Sequence, residues 1–436
     1  MKKAIISLGL ALALGSIAPL KAASPSVNLT PTPKEISVGE GSLVLPQAFT
    51  VKADGLSQEM AAEITKFASA LKASTGIEIG QGPELITIGT DSSIAPEGYS
   101  LNVTADGIEI KASSAAGLYY AFQTIKKVLP ANVAAGVMID GQYSLPVMQV
   151  NDEPRYPWRG MEIDCARHFF ELDELKKMID VMATYKMNRF HWHLTDDQGW
   201  RLEMAKYPKL TTSAAAPLNN YWCDFDNRHS YLLNEPYGPY FYTIEEMKEL
   251  VSYAKERHIE VCPEIDMPGH MQAAIAAYPE FSTTPDGDHP VRFWPGVSTD
   301  VLDISNPAVV QFTKDIIDQL VEIFPYEYIH IGGDECPTSA WANSASCQQF
   351  KKEYGLKSDR AIQNWLTKEL AEYAKEHDRK LICWNEVLTT DGADKNMVKD
   401  ADILIYAWLG AGGANNPSKQ AADLGLRSVW CSTSHY

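Results

Sequence analysis

The chain has 436 residues, of which 45% are hydrophobic and 22% are charged, and it carries a net charge of −18. This composition is typical of a globular protein, and the length favours two domains over one. The negative charge argues against a nucleic-acid-binding protein, because nucleic acids bind to basic surfaces.

The N-terminus has the pattern of an export signal. Lys2 and Lys3 precede an apolar stretch from Ala4 to Leu14, and the small residues Ala22 and Ala23 follow it. This pattern predicts a signal peptide over residues 1–23 and therefore a periplasmic or extracellular protein. No second run reaches the roughly eighteen apolar residues of a membrane-spanning helix, so none is expected.

The seven cysteines do not form a recognisable framework. Cys336 and Cys347 could pair, and the sequence leaves their state open. No CxxC motif is present, which argues against a zinc knuckle.

Residues 24–150 predict a small α+β domain. "GSLVLPQAFTVKA" and "ELITIGT" are strand-like, "SQEMAAEITKFASALKAS" predicts an amphipathic helix, and "GYSLNVTADGIEIKAS" predicts a hairpin. A helix is expected over "AAGLYYAFQTIKKVL". All ten tryptophans and all seven cysteines lie beyond residue 150, which indicates a domain boundary there. We expect a packing role for this domain.

Residues 151–436 alternate between strand-like and helix-like segments. The strand-like runs are "WRGMEID", "NRFHWHL", "IEVCPEID", "YIHIGGD", "KLICWNE", "ILIYAW" and "RSVWCS". Thr243 and Glu246 form a predicted capping box, and Asn306 with Pro307 predicts another helix start. Such a series favours either a doubly wound sheet or a (β/α)8 barrel.

Polar residues follow the C-terminal ends of six of these strands, which favours the barrel, since its sites are assembled there. A doubly wound sheet would collect its ligand groups at one switch point after an early Gly-rich turn. Only seven strands can be counted before Tyr436, so the expectation is a barrel that lacks its eighth strand within this sequence. Residues 24–436 alone are then expected to aggregate and to be essentially inactive, and a chain longer by one strand and helix to be active.

Two adjacent carboxylates, Asp334 and Glu335, follow the strand "YIHIGG". Paired carboxylates are typical of glycoside cleavage, although a structural pair remains an alternative. Aromatic residues that could wall a sugar gather at neighbouring strand ends, namely Trp384, Tyr406 and Trp408, with Trp365 on the helix before Trp384. Arg167 offers a planar fork for neighbouring hydroxyls.

Five motifs in order, "IDCARHFF", "HWHLTDDQGWR", "PEIDMPGH", "HIGGDE" and "WNE", resemble the family 20 glycoside hydrolases, the β-N-acetylhexosaminidases. The resemblance covers Pro154 to the end, and the preceding domain resembles the small α+β domain of that family. It implies hydrolysis of terminal β-linked GlcNAc or GalNAc from glycans, with retention and without an enzyme nucleophile, because this family uses the substrate's own acetamido group.

The resemblance also implies a role for each site residue. Glu335 would be the general acid and then the base, Asp334 would hold the acetamido N–H, and Tyr406 would orient the acetamido carbonyl. Asp196 and His270 would couple to Glu335, and Asp197 is the less favoured of its pair. Arg167 would form hydrogen bonds with the hydroxyls at C3 and C4, and Trp384 and Trp365 would line the pocket around the acetamido group.

Two positions depart from the family pattern. Trp408 stands two residues after Tyr406, where the family often has Asp or Asn, so contact with the C4 or C6 hydroxyl is in question. The family's final W-x-E has no counterpart in these 436 residues.

Two other functions remain open. His191 and His193 alternate on one strand and, with nearby acids, could serve a metal-dependent hydrolase, which a chelator would inactivate. A non-catalytic carbohydrate-binding protein is the other alternative, although such a protein would be expected to lack the acid Glu335. The main interpretation needs no metal and no cofactor. The natural glycan and the oligomeric state are left open.

Overall fold

The computed structural model describes residues 27–215, 238–292, 296–408 and 416–431. The chain divides into two compact units between Pro154 and Arg155. The predicted signal peptide lies outside the described residues.

The first unit is a mixed sheet with helices. Its strands are Glu35–Val44, Ala48–Ala53, Glu78–Thr90, Tyr99–Val103, Ile108–Ala112 and Ser144–Asp152 (β1–β6), and its helices are Gln58–Thr75, Ala115–Val128 and Ala131–Ala134 (α1–α3). The strand order in the sheet is β1-β6-β4-β5-β3-β2. The predicted hairpin is confirmed, since β4 pairs with β5 in antiparallel register. Helix α1 is capped by Ser57, whose side chain accepts the N–H of Met60, and by Gly76 in the left-handed conformation.

The second unit is built on a parallel sheet whose strands follow one another in chain order. Its strands are Gly160–Asp164, Arg189–Asp196, Gly199–Trp200, Glu260–Ile265, Tyr328–His330, Lys380–Trp384, Leu404–Ala407 and Ser428–Trp430 (β7–β14). The short β9 pairs antiparallel with β8, and the other seven strands are parallel. All seven predicted strands are therefore present, in the order that a (β/α)8 barrel requires.

Helices lie between these strands, as the barrel prediction expects. They are Leu172–Thr184, Ile244–Lys255, Gln272–Ala277, Pro307–Ile323, Ser339–Asn343, Ala345–Glu353, Arg360–Glu376, Glu386–Thr389, Lys395–Ala401 and Pro417–Asp423 (α4–α13). The Thr243–Glu246 capping box and the Asn306 cap are both formed. Among the described residues, no ladder joins β14 to β7, so these two strands form the two edges of the parallel sheet.

The six cysteines among the described residues are all free thiols. Cys336 and Cys347 are both free and buried, so they do not form the disulfide that the sequence left open. The Cys347 thiol instead donates to Asp303 Oδ1 at 3.2 Å. Cys223 lies outside the described residues.

In the part of the chain that the structure describes, no helix combines the length and apolar character needed to cross a bilayer.

Candidate active site

The predicted site residues gather at the C-terminal ends of the parallel strands. Asp164 ends β7, Asp196 ends β8, and Trp384 ends β12. His270 follows β10, and the Asp334–Glu335 pair follows β11. Since parallel strands end at the same edge of the sheet, these side chains come from five strands to one region.

A glycine pair explains how two adjacent acids reach this region. Gly332 and Gly333 have φ angles of 64° and 96°, in the left-handed range that glycine adopts without penalty. A Cβ on Gly332 would lie 1.8 Å from Asp266 Oδ1, and one on Gly333 would lie 2.6 Å from Val387 Cγ1. The turn therefore packs against Asp266, directly after β10, and against Val387 of α11 only because both positions lack side chains.

Glu335 is held in an unusual backbone conformation at the edge of the site. Its φ of 42° is rare for a residue with a side chain. The side chain is 44% exposed, and its Oε2 lies 3.7 Å from His270 Nε2. Burial, reinforced by the neighbouring Asp334 carboxylate and opposed by His270, raises the pKa of Glu335. A carboxyl with a raised pKa at a solvent-accessible edge is suited to donating a proton.

His270 joins the acids of the site to a buried carboxylate. Its Nδ1 donates to Asp196 Oδ1 at 3.0 Å, and its Nε2 faces both Glu335 and Asp334 Oδ2, each at 3.7 Å. Burial lowers the pKa of His270, but the carboxylates of Asp196 and Asp266 outweigh it and raise that pKa well above its usual value. His270 is thus a buried imidazolium whose charge faces both candidate catalytic acids.

The structure separates the roles of Asp196 and Asp197. Asp196 contacts both His270 and Arg167, whose Nη2 lies 2.5 Å from Asp196 Oδ2. Asp197 accepts the backbone N–H groups of Gln272 and Ser298 at 3.2 and 2.8 Å, and lies 3.4 Å from His270 Nδ1. Asp196 therefore couples the site residues, while Asp197 mainly fixes the surrounding loops.

Arg167 is oriented by three acceptors. Its Nη1 donates to Asp164 Oδ2 at 2.7 Å, its Nη2 pairs with Asp196, and its Nε donates to Gln198 Oε1 at 3.1 Å. Each terminal nitrogen carries a second N–H. The side chain is 25% exposed, so the guanidinium is rigidly held and still reaches solvent at the site.

A buried carboxylate, Glu264, lies beneath these groups and anchors Trp384. The Trp384 indole N–H donates to Glu264 Oε1 at 2.7 Å, and His193 Nδ1 donates to Glu264 Oε2 at 2.6 Å. The other ring nitrogen of His193 lies 3.1 Å from Asp196 Oδ2. Burial lowers the pKa of His193, but Glu264 and Asp164 outweigh it and raise it well above its usual value. Trp384, Glu264, His193 and Asp196 thus form one connected polar network.

His191, Glu264 and His330 are residue types that bind zinc, and one possible ligand atom from each lies within 4.8 Å of the others. These atoms already contact one another, since His191 Nε2 lies 2.8 Å and His330 Nδ1 lies 3.0 Å from Glu264. With Trp384 and His193 as further donors, the Glu264 charge is balanced by protein groups. His330 Nε2 is nevertheless buried without a hydrogen-bond partner among the described residues, and His330 Nδ1 also accepts the backbone N–H of Gly332 at 3.0 Å. The metal-dependent alternative therefore stays a prediction.

Tyr406 lies near the end of β13 and packs among other aromatic rings. Its ring is 3% exposed and packs against Trp158, His330 and Trp384, with centroid distances of 6.0, 4.9 and 5.5 Å. It belongs to a buried hydrophobic cluster that also contains Trp384. Contact between Tyr406 and an acetamido carbonyl stays a prediction.

The other predicted aromatic walls differ in position. Trp384 is buried beside Trp408, with ring centroids 6.0 Å apart, and the Trp408 indole donates to Glu386 Oε2 at 2.9 Å. Trp365, on α10, packs against Phe350 and Tyr354. Because those partners belong to or directly follow α9, Trp365 makes a helix–helix contact, and its predicted role as a pocket wall lacks support.

Sequence reasoning did not single out the buried partners Glu264 and Asp266, and it considered His193 only as a possible metal ligand. A signal was present, because Cys262, Glu264 and Asp266 alternate along β10 and its end, as do His191 and His193 along β8. Polar residues with period two on a buried strand indicate an inward-facing polar network.

Carboxylates at the strand ends of a barrel, one of them with a raised pKa, are an arrangement that glycoside hydrolases use. The family profile "Glycosyl hydrolase family 20, catalytic domain" matches residues 156–436, and "Glycosyl hydrolase family 20, domain 2" matches residues 26–153. The chain belongs to glycosyl hydrolase family 20.

Two curated relatives are named beta-hexosaminidase. The protein from Porphyromonas gingivalis is 35% identical over 368 residues, which are 83% of this chain and 46% of the relative. The protein from Vibrio furnissii is 35% identical over 347 residues, which are 78% of this chain and 53% of the relative. The chain thus spans about half the length of these relatives.

Solved structures show the same fold. A chitobiase from Flavobacterium johnsoniae superimposes with a TM-score of 0.75 at 31% identity, covering 93% of this chain and 59% of that protein. A β-N-acetylhexosaminidase from Bacteroides fragilis has a TM-score of 0.75 at 28% identity, covering 93% of this chain and 75% of that protein.

Proposed function

We propose that the protein removes terminal β-linked N-acetylhexosamine residues, GlcNAc or GalNAc, from the non-reducing ends of glycans or chito-oligosaccharides. The observation that carries this proposal is the geometry around His270, whose Nε2 lies 3.7 Å from both Asp334 and Glu335. Oxygen atoms of the two adjacent carboxylates also lie within 4.8 Å of each other, so both carboxylates face the same side of the site and do not flank a sugar from opposite faces. They are well placed to act on two neighbouring atoms of the same sugar.

The proposed reaction follows the substrate-assisted route for which this family is known. The acetamido oxygen of the substrate attacks the anomeric carbon while Glu335 protonates the leaving oxygen. Asp334 binds the acetamido N–H and stabilises the positive charge of the oxazolinium. Glu335, now a carboxylate, removes a proton from the water whose oxygen attacks the anomeric carbon. The bond between that carbon and the acetamido oxygen breaks, which opens the oxazolinium ring, and the second inversion restores the β configuration.

His270 and Arg167 support this chemistry in different ways. The His270 imidazolium stabilises Glu335 when it becomes a carboxylate, and the 3.7 Å separation is expected to shorten when substrate excludes water. The guanidinium of Arg167 presents its remaining N–H groups to two sugar hydroxyls. The buried Trp384 supplies an apolar surface whose orientation is fixed by Glu264.

Stereochemistry tests this proposal directly. The complete gene product is incubated with an aryl β-GlcNAc glycoside, and the first-formed anomer is read by proton NMR before mutarotation. We expect β-GlcNAc first. Formation of the α anomer first, or no hydrolysis of β-GlcNAc and β-GalNAc glycosides by folded protein, contradicts the proposal.

We expect Arg167→Lys to raise KM and lower kcat together. A guanidinium can contact the three protein acceptors and also donate to two sugar hydroxyls, whereas an ammonium group has too few N–H donors to do both. Steady-state kinetics on the aryl glycoside measures the effect, with the exposed Arg155→Lys as a matched control. Unchanged kinetics in Arg167→Lys would remove this residue from the site.

The rate is expected to fall as pH rises through the raised pKa of Glu335. The general acid must be protonated in the free enzyme, so its ionisation gives the alkaline limb of kcat/KM. Glu386 is the competing candidate, because burial raises its pKa to about 7. The limb is measured in the unaltered protein and in Glu386→Gln. If the alkaline limb disappears in Glu386→Gln, Glu386 is the group that titrates, whereas a limb that persists is assigned to Glu335.

We also propose that residues 1–23 direct export to the periplasm or the cell exterior. The support is the charged start, apolar run and small residues of that segment. N-terminal sequencing of the secreted or periplasmic protein tests this, and recovery of an uncleaved cytosolic chain would contradict it.

A further inference from the structure

A second buried acid, Asp266, lies directly behind Asp334. It follows β10 and is 1% exposed. Its Oδ1 accepts the backbone N–H of Gly333 at 2.8 Å. This bond ties the carboxyl to the same glycine turn that delivers Asp334 and Glu335 to the site.

The other oxygen of Asp266 has no conventional donor. Among the described residues, Asp266 Oδ2 and Asp334 Oδ1 are both buried acceptors without a hydrogen-bond partner. The two carboxyls are nevertheless close together, since one oxygen of Asp266 and one of Asp334 lie within 4.8 Å of each other. Two buried carboxyls at this separation favour a proton on one of them, because two negative charges would repel each other and leave both acceptors unsatisfied.

The surroundings place that proton on Asp266. Burial, reinforced by Asp334, raises the pKa of Asp266 well above its usual value, although His270 opposes the shift. Asp334 is less enclosed, with a side chain that is 15% exposed. The titratable groups that face Asp266 are Asp334, His270, Glu264, Asp196, Cys336 and Cys383.

We propose that Asp266 is a positioning residue whose neutral carboxyl donates a hydrogen bond from Oδ2 to Asp334 Oδ1. The donated bond leaves the negative charge on Asp334 and fixes the direction of its second oxygen. This inference rests on the proposed function, in which Asp334 stabilises the oxazolinium. Without this hydrogen bond, the carboxylate of Asp334 would be oriented less well toward the oxazolinium. The rate of the chemical step would then fall more than substrate binding would weaken.

Two variants of Asp266 distinguish the loss of its hydrogen-bond donor from the loss of its side-chain packing. Asp266→Asn keeps the shape, the acceptor for Gly333 and a donor toward Asp334. Asp266→Ala removes the donor. We expect Asp266→Asn to stay within about tenfold of the unaltered kcat, because an amide still donates. Asp266→Ala is expected to lose roughly 10- to 100-fold, mainly in kcat. Cys383→Ala, which removes a buried side chain near Asp266, is the packing control and should change kcat little.

Infrared spectroscopy tests the proton directly. At pH 8, the difference spectrum between the unaltered protein and Asp266→Asn should show the C=O stretch of one neutral carboxylic acid, shifted in D₂O. Absence of that band overturns the proposal, as does an equal loss of kcat in Asp266→Asn and Asp266→Ala. A stoichiometric metal ion, found by elemental analysis and lost in Asp266→Asn, also overturns it, because a cation would then join the two acids. The spectrum does not depend on turnover, so failure of the proposed activity would leave this test intact.

Discussion

Replacing Glu335 with Gln is expected to reduce the rate of hydrolysis of natural glycosides, which have poor leaving groups, by roughly 10²- to 10⁴-fold. Gln has nearly the same shape as Glu and cannot donate the proton that such a leaving oxygen requires. An aryl glycoside with an activated leaving group needs little protonation, so the first step on that substrate should be impaired much less. Rates on chitobiose and on an activated aryl β-GlcNAc glycoside measure the difference.

The control for Glu335→Gln is Glu386→Gln, which changes a neighbouring buried acid bonded to Trp408. Equal losses on both substrates in Glu335→Gln would argue against Glu335 as the acid. Circular dichroism and thermal unfolding confirm that the variant is folded, so that a loss of rate is attributed to chemistry.

Replacing Asp334 with Asn is expected to lower kcat by roughly 10²- to 10³-fold on poorly leaving and activated glycosides alike. The positive charge of the oxazolinium develops whatever the leaving group is, so protonation of the leaving oxygen cannot compensate. The substrate pattern therefore distinguishes the two adjacent residues. A thiazoline that mimics the cyclised intermediate should also bind less tightly to Asp334→Asn.

A different pattern in Asp334→Asn would contradict its assigned role. If activated substrates were cleaved at the original rate, Asp334 would not stabilise charge in the first step. If only KM changed, the residue would bind ground state and transition state equally.

The fold could be predicted from the sequence because its signals are local. The seven strand-like runs of residues 151–436 are all present, and both helix-start signals, at Thr243 and at Asn306, are formed. Short apolar runs, capping residues and glycines each act within a few positions, so the sequence shows them directly.

The site could be predicted only in part. The adjacent acids Asp334 and Glu335 and the basic residues Arg167 and His270 follow strand ends, and strand ends meet in a barrel. The positions of Tyr406 and Trp365 depended on which way a ring turns and on its neighbours, and no local pattern specifies that. Tyr406 packs into the interior cluster, and Trp365 packs on the neighbouring helix.

The buried network escaped prediction for a related reason. Glu264 lies on β10 and Asp266 directly follows it, in a segment that is otherwise apolar. Each carboxyl is stabilised by hydrogen-bond donors from other parts of the barrel. Burying an acid costs free energy unless it has hydrogen-bond donors as partners. Two acids that face inward from one strand and its end therefore indicate buried donors nearby. The donors are His193 and Trp384 for Glu264, and the Gly333 amide for Asp266.

In the proposed reaction, the substrate's own acetamido group attacks the anomeric carbon. This attack is tested by comparing kcat/KM of the complete gene product for an aryl β-GlcNAc glycoside and for the aryl β-glucoside that differs only at C2. We predict a preference for the GlcNAc substrate of about 10⁴-fold, because the glucoside offers no acetamido oxygen to attack and leaves Asp334 unpaired. Cleavage of the two substrates at comparable rates would contradict the account.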